Sequence, residues 1–190
     1  MNDKPLLRWR AYFTALVMLA ELAHLVWEHL HGGVRSHHIL NRADLPAISN
    51  AWGALLLPAM AWFLSGRVQK RITSQSHAKD AAAMLPASVV AGFVGTLVFG
   101  TLFAGSFAYG YETVTGYLFQ GLIVLALLLP LCRAEWVLGF VLGMTFTFGA
   151  VLPTVVGSVI AALSAVAHLV VFPLLVRGWA WLRRRLSRTA

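Results

Sequence analysis

Charge is what this chain has least of: 12% of its 190 residues are charged, where a soluble domain carries about a quarter. With 59% hydrophobic residues alongside that shortage, a soluble globular class is excluded and a polytopic membrane protein is expected. Cysteine is also nearly absent. Cys132 stands alone, which rules out an intramolecular disulfide and a cysteine-based zinc cluster and leaves cysteine usage silent on compartment. There is no GxSxG elbow, no HExxH pair, no internal repeat and no low-complexity stretch. Acidic residues number 7 against 15 basic ones, a net charge of +8. The basic residues flank apolar segments and no soluble basic domain exists to grip a duplex, so nucleic acid is not an expected partner. The charge reads as membrane topology, with affinity for anionic membrane lipid.

The N-terminus, with Lys4, Arg8 and Arg10 ahead of an apolar run, superficially resembles a secretory signal. Glu21 and His24 lie inside that run, and Glu28 and His29 occupy the place of a small-residue cleavage site, so a retained first helix is expected. Punctuation by Pro, Gly and charge divides the chain into six apolar segments, about 11–30, 47–65, 86–108, 114–131, 134–152 and 154–177, in a single domain over 1–190. The expected fold is all-α, a six-transmembrane-helix bundle. The fourth and fifth segments should form a hairpin about Cys132, Arg133 and Ala134, and the fifth and sixth should meet at Pro153. Gly66 to Ala83 reads as a connector.

Charge asymmetry orients the bundle. With both termini cytoplasmic, 13 of the 15 basic residues lie inside and only Arg35 and Arg42 outside, as the positive-inside rule prefers. The expected location is an inner, cytoplasmic membrane of a bacterium. Gly139 and Gly143 form a GxxxG pair, and Gly157, Ala161 and Ala165 repeat the spacing, so close helix contact, or a homo-oligomer through these faces, is expected.

Into this apolar background the first segment sets Glu21, His24, Glu28 and His31, spaced three, four and three, on one helix face. Ionisable groups at bilayer depth are costly, which makes them the default functional site. His37, His38 and Asp44 follow in the next connection, and Gly32 and Gly33 let the chain reverse over the helix end. His24, Glu28, His31, His37 and His38 form a ligand set suited to a divalent transition metal, zinc first, iron or copper next. The two Glu-x-x-His elements lie about 10 Å apart along one helix, too far for a single-helix dinuclear centre.

Glu21 or Asp44 would serve as general base. Asp44 reads equally as the N-cap of the second helix, with Pro46 in its first turn. Arg35, Arg42 and Asn50 would bind substrate, the arginines suiting an anionic headgroup. His168 on the last helix and Glu112 in the second outer connection are possible relay groups, with His168 pairing with Glu21 or sharing a haem with His24. Trp27, Trp52, Tyr109, Tyr111 and Tyr117 suit an outer aromatic belt. Together these residues predict a membrane-embedded metal-dependent hydrolase acting on a lipid or other apolar substrate at the outer face. The alternative is a transporter or proton conductor using the same residues as a pathway.

Overall fold

The computed structural model describes residues 4–38, 44, 46–75 and 85–189, and within them the side chains of 7–74 and 85–180. Among the described residues, six helices form the bundle. α1 spans Lys4–Leu30, α2 Gly53–Gln75, α3 Ala87–Ala108, α4 Glu112–Leu128 and α5 Ala134–Phe148. The sixth is continuous: α6, Val151–Val166, passes through a π-helical turn at Ala167–Val171 into α7, Phe172–Thr189. Four helices, Leu7–Leu30, Asn50–Ser74, Ala87–Ala108 and Val151–Ala180, are long and apolar enough to cross a membrane, while α4 and α5 are apolar but shorter. The architecture is consistent with a multi-pass integral membrane protein. Its outer surface agrees, with Leu16, Val26, Leu55, Phe63, Leu102 and Val159 among many large apolar side chains left exposed.

Close backbone approach sets the packing. α5 lies chiefly against α3 and also touches α6 and α2, while α1 pairs with α2. A Cβ on Gly139 would overlap the Phe93 carbonyl, one on Gly143 the Leu97 carbonyl, and one on Gly100 would sit 2.7 Å from the Phe140 carbonyl. The GxxxG pair is therefore spent inside the chain, on α3, and that face is not open to a second copy. Gly157 of α6 seats against Phe140 and Val141. Leu57, Ala61, Ala126, Val141 and Met144 fill the core between these contacts.

Several boundaries differ from the sequence reading. Residues 47–49 are not helical: Ala47–Ser49 (β2) pairs antiparallel with Ser36–His38 (β1), in the register Ser36 to Ser49, His37 to Ile48 and His38 to Ala47. A 3₁₀ turn at Asn50–Trp52, capped by the Ser49 hydroxyl accepting from the Ala51 N–H, then delivers the chain into α2. Asp44 is thus not the cap of α2, whose entry lies beyond β2. At its other end α2 continues to Gln75, so the first half of the expected connector is helix; one turn before it, Arg10 donates from Nε to the Trp62 carbonyl and lies 3.8 Å over the Trp62 ring. The α5 to α6 break falls at Gly149, φ +68°, rather than at Pro153, which sits in the first turn of α6, where its missing N–H costs nothing. α4 packs on α3 and α6 rather than pairing with α5 as a hairpin. The last helix also runs beyond 177, to Thr189.

Candidate active site at the ribbon end of the bundle

Helical spacing turns Glu21, His24 and Glu28 of α1 to one side, and packing against α2 and α5 buries that side. Glu21 is 4% exposed and Glu28 2%. His24 sits between them, its Nδ1 3.6 Å from Glu21 Oε2 and its Nε2 3.6 Å from Glu28 Oε1. Phe146 of α5 covers the imidazole at 4.9 Å between ring centres. Gly53, the first residue of α2, makes room for Glu21, because a Cβ there would overlap the carboxylate.

Glu28 is the best-anchored group. Asn50 Nδ2 donates to its Oε1 at 2.7 Å, and the Arg35 backbone N–H donates to its Oε2 at 3.2 Å. Both donors come from the ribbon that Gly32 and Gly33 fold back over the helix end, at φ +118° and +100°. Asn50 is itself buried against Gly149, where any side chain would overlap Asn50 Oδ1 and where the left-handed φ already favours glycine.

His37 extends the array outward. Its Cδ2 lies 3.6 Å from the Cβ position at Gly149, and it shares with Asn50, Gly149, Leu152, Val155 and Val156 the wall of a cavity of about 260 Å³. Burial holds its pKa below the ordinary 6.5; the Glu28 carboxylate opposes this in part, while Arg35 adds to it. Glu21 Oε1, His24 Nε2 and His37 Nε2 are buried without a hydrogen-bond partner among the described residues. Such orphaned atoms are few in native structures, and three of the six found among the described residues fall in this array. The path runs from the apolar cavity to His37 and Asn50, then to Glu28, His24 and Glu21. An imidazole held between two carboxylates can take a proton from one side and return it.

The remaining sequence candidates fall elsewhere. The ring of His31 turns back, its Nδ1 2.8 Å from the Trp27 carbonyl, and stacks on Trp27 at the surface. His38 is exposed at the mouth of the same cavity. Asp44 is exposed in the ribbon connection, and Arg42 lies outside the described residues. Arg35 brings its backbone N–H to the site while its side chain is exposed. Glu112 is the exposed first residue of α4. His168 sits on the π-helical turn, with Nδ1 3.0 Å from the Ser164 carbonyl and its ring against Phe172. It is 17 residues beyond Val151, or about 25 Å of helix from the site end, and its contacts are with Ser164 and Phe172 of its own helix. Among the described residues, no three His, Cys, Asp or Glu side chains are grouped so as to hold a metal ion. Gly53, Phe146 and Gly149 escaped the sequence reading, since small and aromatic residues are common in any packed helix. The residues of the expected aromatic belt, Trp27, Trp52, Tyr109, Tyr111 and Tyr117, are all exposed at the site end.

Comparison of the chain with protein-family models, with curated proteins and with solved structures finds no match.

Proposed function

We propose that this chain is a membrane-embedded hydrolase that uses the His37, Glu28, His24 and Glu21 array for acid–base catalysis on a lipid or other apolar substrate. The observation that carries the reading is an imidazole set 3.6 Å from each of two buried carboxylates, joined through Asn50 to an apolar cavity of about 260 Å³. That volume accepts part of an acyl chain. His37, neutral at pH 7, meets the substrate first and draws a proton from water attacking the ester or amide carbonyl. The proton is then returned to the leaving group, with Glu28 and His24 balancing the charge. Arg35 would hold an anionic headgroup at the mouth, and Asp44 would be a second base there. With both termini cytoplasmic, this end of the bundle faces outward.

A divalent transition metal, zinc first, belongs to the proposal on donor chemistry alone. The partnerless Glu21 Oε1, His24 Nε2 and His37 Nε2 are atoms of ligating type. The proton-pathway reading has less support. Inward of Glu21 the helix meets Val17, Leu57 and Ala61, all buried and apolar, which leaves a site open on one side. The test is hydrolysis of fluorogenic acyl esters by the purified protein in lipid vesicles, with elemental mass spectrometry on the same preparation. Turnover lost at least 100-fold in His24→Ala and His37→Ala supports the reading. Turnover absent from the wild type, alongside a proton leak that these variants abolish, overturns it in favour of the pathway.

A further inference from the structure

The last helix outruns the bundle. Among the described side chains, the last buried ones on its path are Ser164, whose hydroxyl donates to the Leu129 carbonyl at the end of α4, and Ala167. From Leu169 to Trp179 every residue but Pro173 is exposed, so these three turns present no buried face. The helix continues to Thr189, 22 residues beyond Ala167 and about 33 Å along its axis. Its composition changes as it leaves. Arg177, Arg183, Arg184, Arg185 and Arg188 fall in this stretch, and α7 divides apolar from charged positions more sharply than any other helix while being the least hydrophobic on average. In the sequence Leu175, Trp179, Leu182 and Leu186 recur at four, three and four residues and Arg177, Arg184 and Arg188 at seven and four, two opposite stripes of the helical repeat.

We propose that α7 beyond the bundle is an interfacial arm that binds anionic phospholipid, its apolar stripe entering the headgroup boundary and its arginines holding the phosphates. Low average hydrophobicity joined to a sharp division of apolar from basic positions is the pattern of a helix that lies on a membrane rather than one that crosses it. Charge selects the lipid. No Asp or Glu follows Glu135 in the sequence, and Glu135 is itself buried and accepts from Arg71 Nη2 at 2.7 Å, so no acid of α6 or α7 neutralises the arm. A second copy of α7 would set five arginines against five. Nucleic acid would match the charge but leave Leu175 and Trp179, each 62% exposed, in water. An anionic bilayer surface meets both needs, and the unbroken helix holds the arm at the bundle's edge, where that surface lies. The arm shares no residue with the array around His24, and the inference stands apart from the hydrolase reading.

The test puts a reporter on the arm of the full-length protein. Ser187→Cys, in a Cys132→Ser background, carries an environment-sensitive fluorophore, and the protein is reconstituted in nanodiscs of phosphatidylcholine or of an equal mixture with phosphatidylglycerol. Each arginine beside an anionic surface favours the bound arm about fivefold, so quenching by the neutral solute acrylamide should be about threefold or more weaker in the anionic discs. Changing Arg183, Arg184, Arg185 and Arg188 together to Gln should remove that difference while the thermal transition is retained. Salt at about 1 M, where the Debye length is about 3 Å, should remove it from the unsubstituted arm. Equal quenching in the two discs overturns the proposal, as does a difference that survives in the folded variant. Protection by an added RNA oligonucleotide in phosphatidylcholine discs, exceeding that from phosphatidylglycerol, overturns it in favour of nucleic acid. If the variant does not fold, the salt series decides alone, and a difference unchanged by salt refutes the arm.

Discussion

Removing the Asn50 amide tests whether the ribbon really holds the array. Asn50 and Glu28 are 3% and 2% exposed, and Nδ2 lies 2.7 Å from Oε1, so Asn50→Ala strips a short, charge-assisted bond from a carboxylate that water cannot reach. A hydrogen bond to a charged group contributes about 1.5–3 kcal/mol, and Glu28 would keep only the longer bond from the Arg35 N–H. At about 2–4 °C per kcal/mol for a chain of this size, the unfolding midpoint should fall by roughly 3–12 °C. The assay is thermal unfolding of purified protein in one fixed detergent, run as a double-mutant cycle with Glu28→Gln and the double variant. If the bond exists as described, the single losses should fail to add by about 1 kcal/mol or more. Additivity within about 0.5 kcal/mol would refute the coupling and with it the idea that the ribbon orders the helix face.

Other consequences follow from the same geometry. Gly149→Ala should lower stability by about 1–3 kcal/mol and reduce esterase turnover, because it meets both a left-handed φ and the Asn50 side chain; unfolding and turnover on one sample would show whether the two losses travel together. Gly143→Leu should push α3 from α5 and cost about 1–3 kcal/mol or prevent folding, read from the yield of monodisperse protein, whereas Gly95→Leu, with open space around it, should be tolerated. His37 is harder to protonate in the folded protein than the unperturbed value of 6.5, so the unfolded chain binds the extra proton as pH falls below that value. Its contribution to stability is whole above pH 6.5 and lost on acidification through the folded value. Unfolding midpoints from pH 8 to 5 should therefore fall less steeply for His37→Gln than for the wild type.

Much of the site was legible because its signal is local. Glu21, His24 and Glu28 lie within eight residues of one helix, and helical periodicity alone puts them on a common face. His31 shares the spacing but lies in the turn where α1 ends, so it bonds the Trp27 carbonyl instead of joining them. Asn50 and His37 were picked for residue type, but their meeting depends on a ribbon only three residues to a strand, too short to leave a period in the sequence. Glu135 was passed over for the same reason. A lone acid beside Arg133 looks like the edge of an apolar segment until Arg71, 64 residues away, pairs with it.

Composition and hydrophobic periodicity by themselves determined an apolar helical bundle consistent with a multi-pass membrane protein, the approximate places of its segments and the polar face of the first, since bilayer thickness and the helical repeat act on contiguous residues. Tertiary structure alone decided which polar atoms meet. The glycine contacts that lay α5 on α3, the break at Gly149 and the fold-back at Gly32 and Gly33 set which side chains lose water together, and the loss of water makes Glu28, Asn50 and His24 one site.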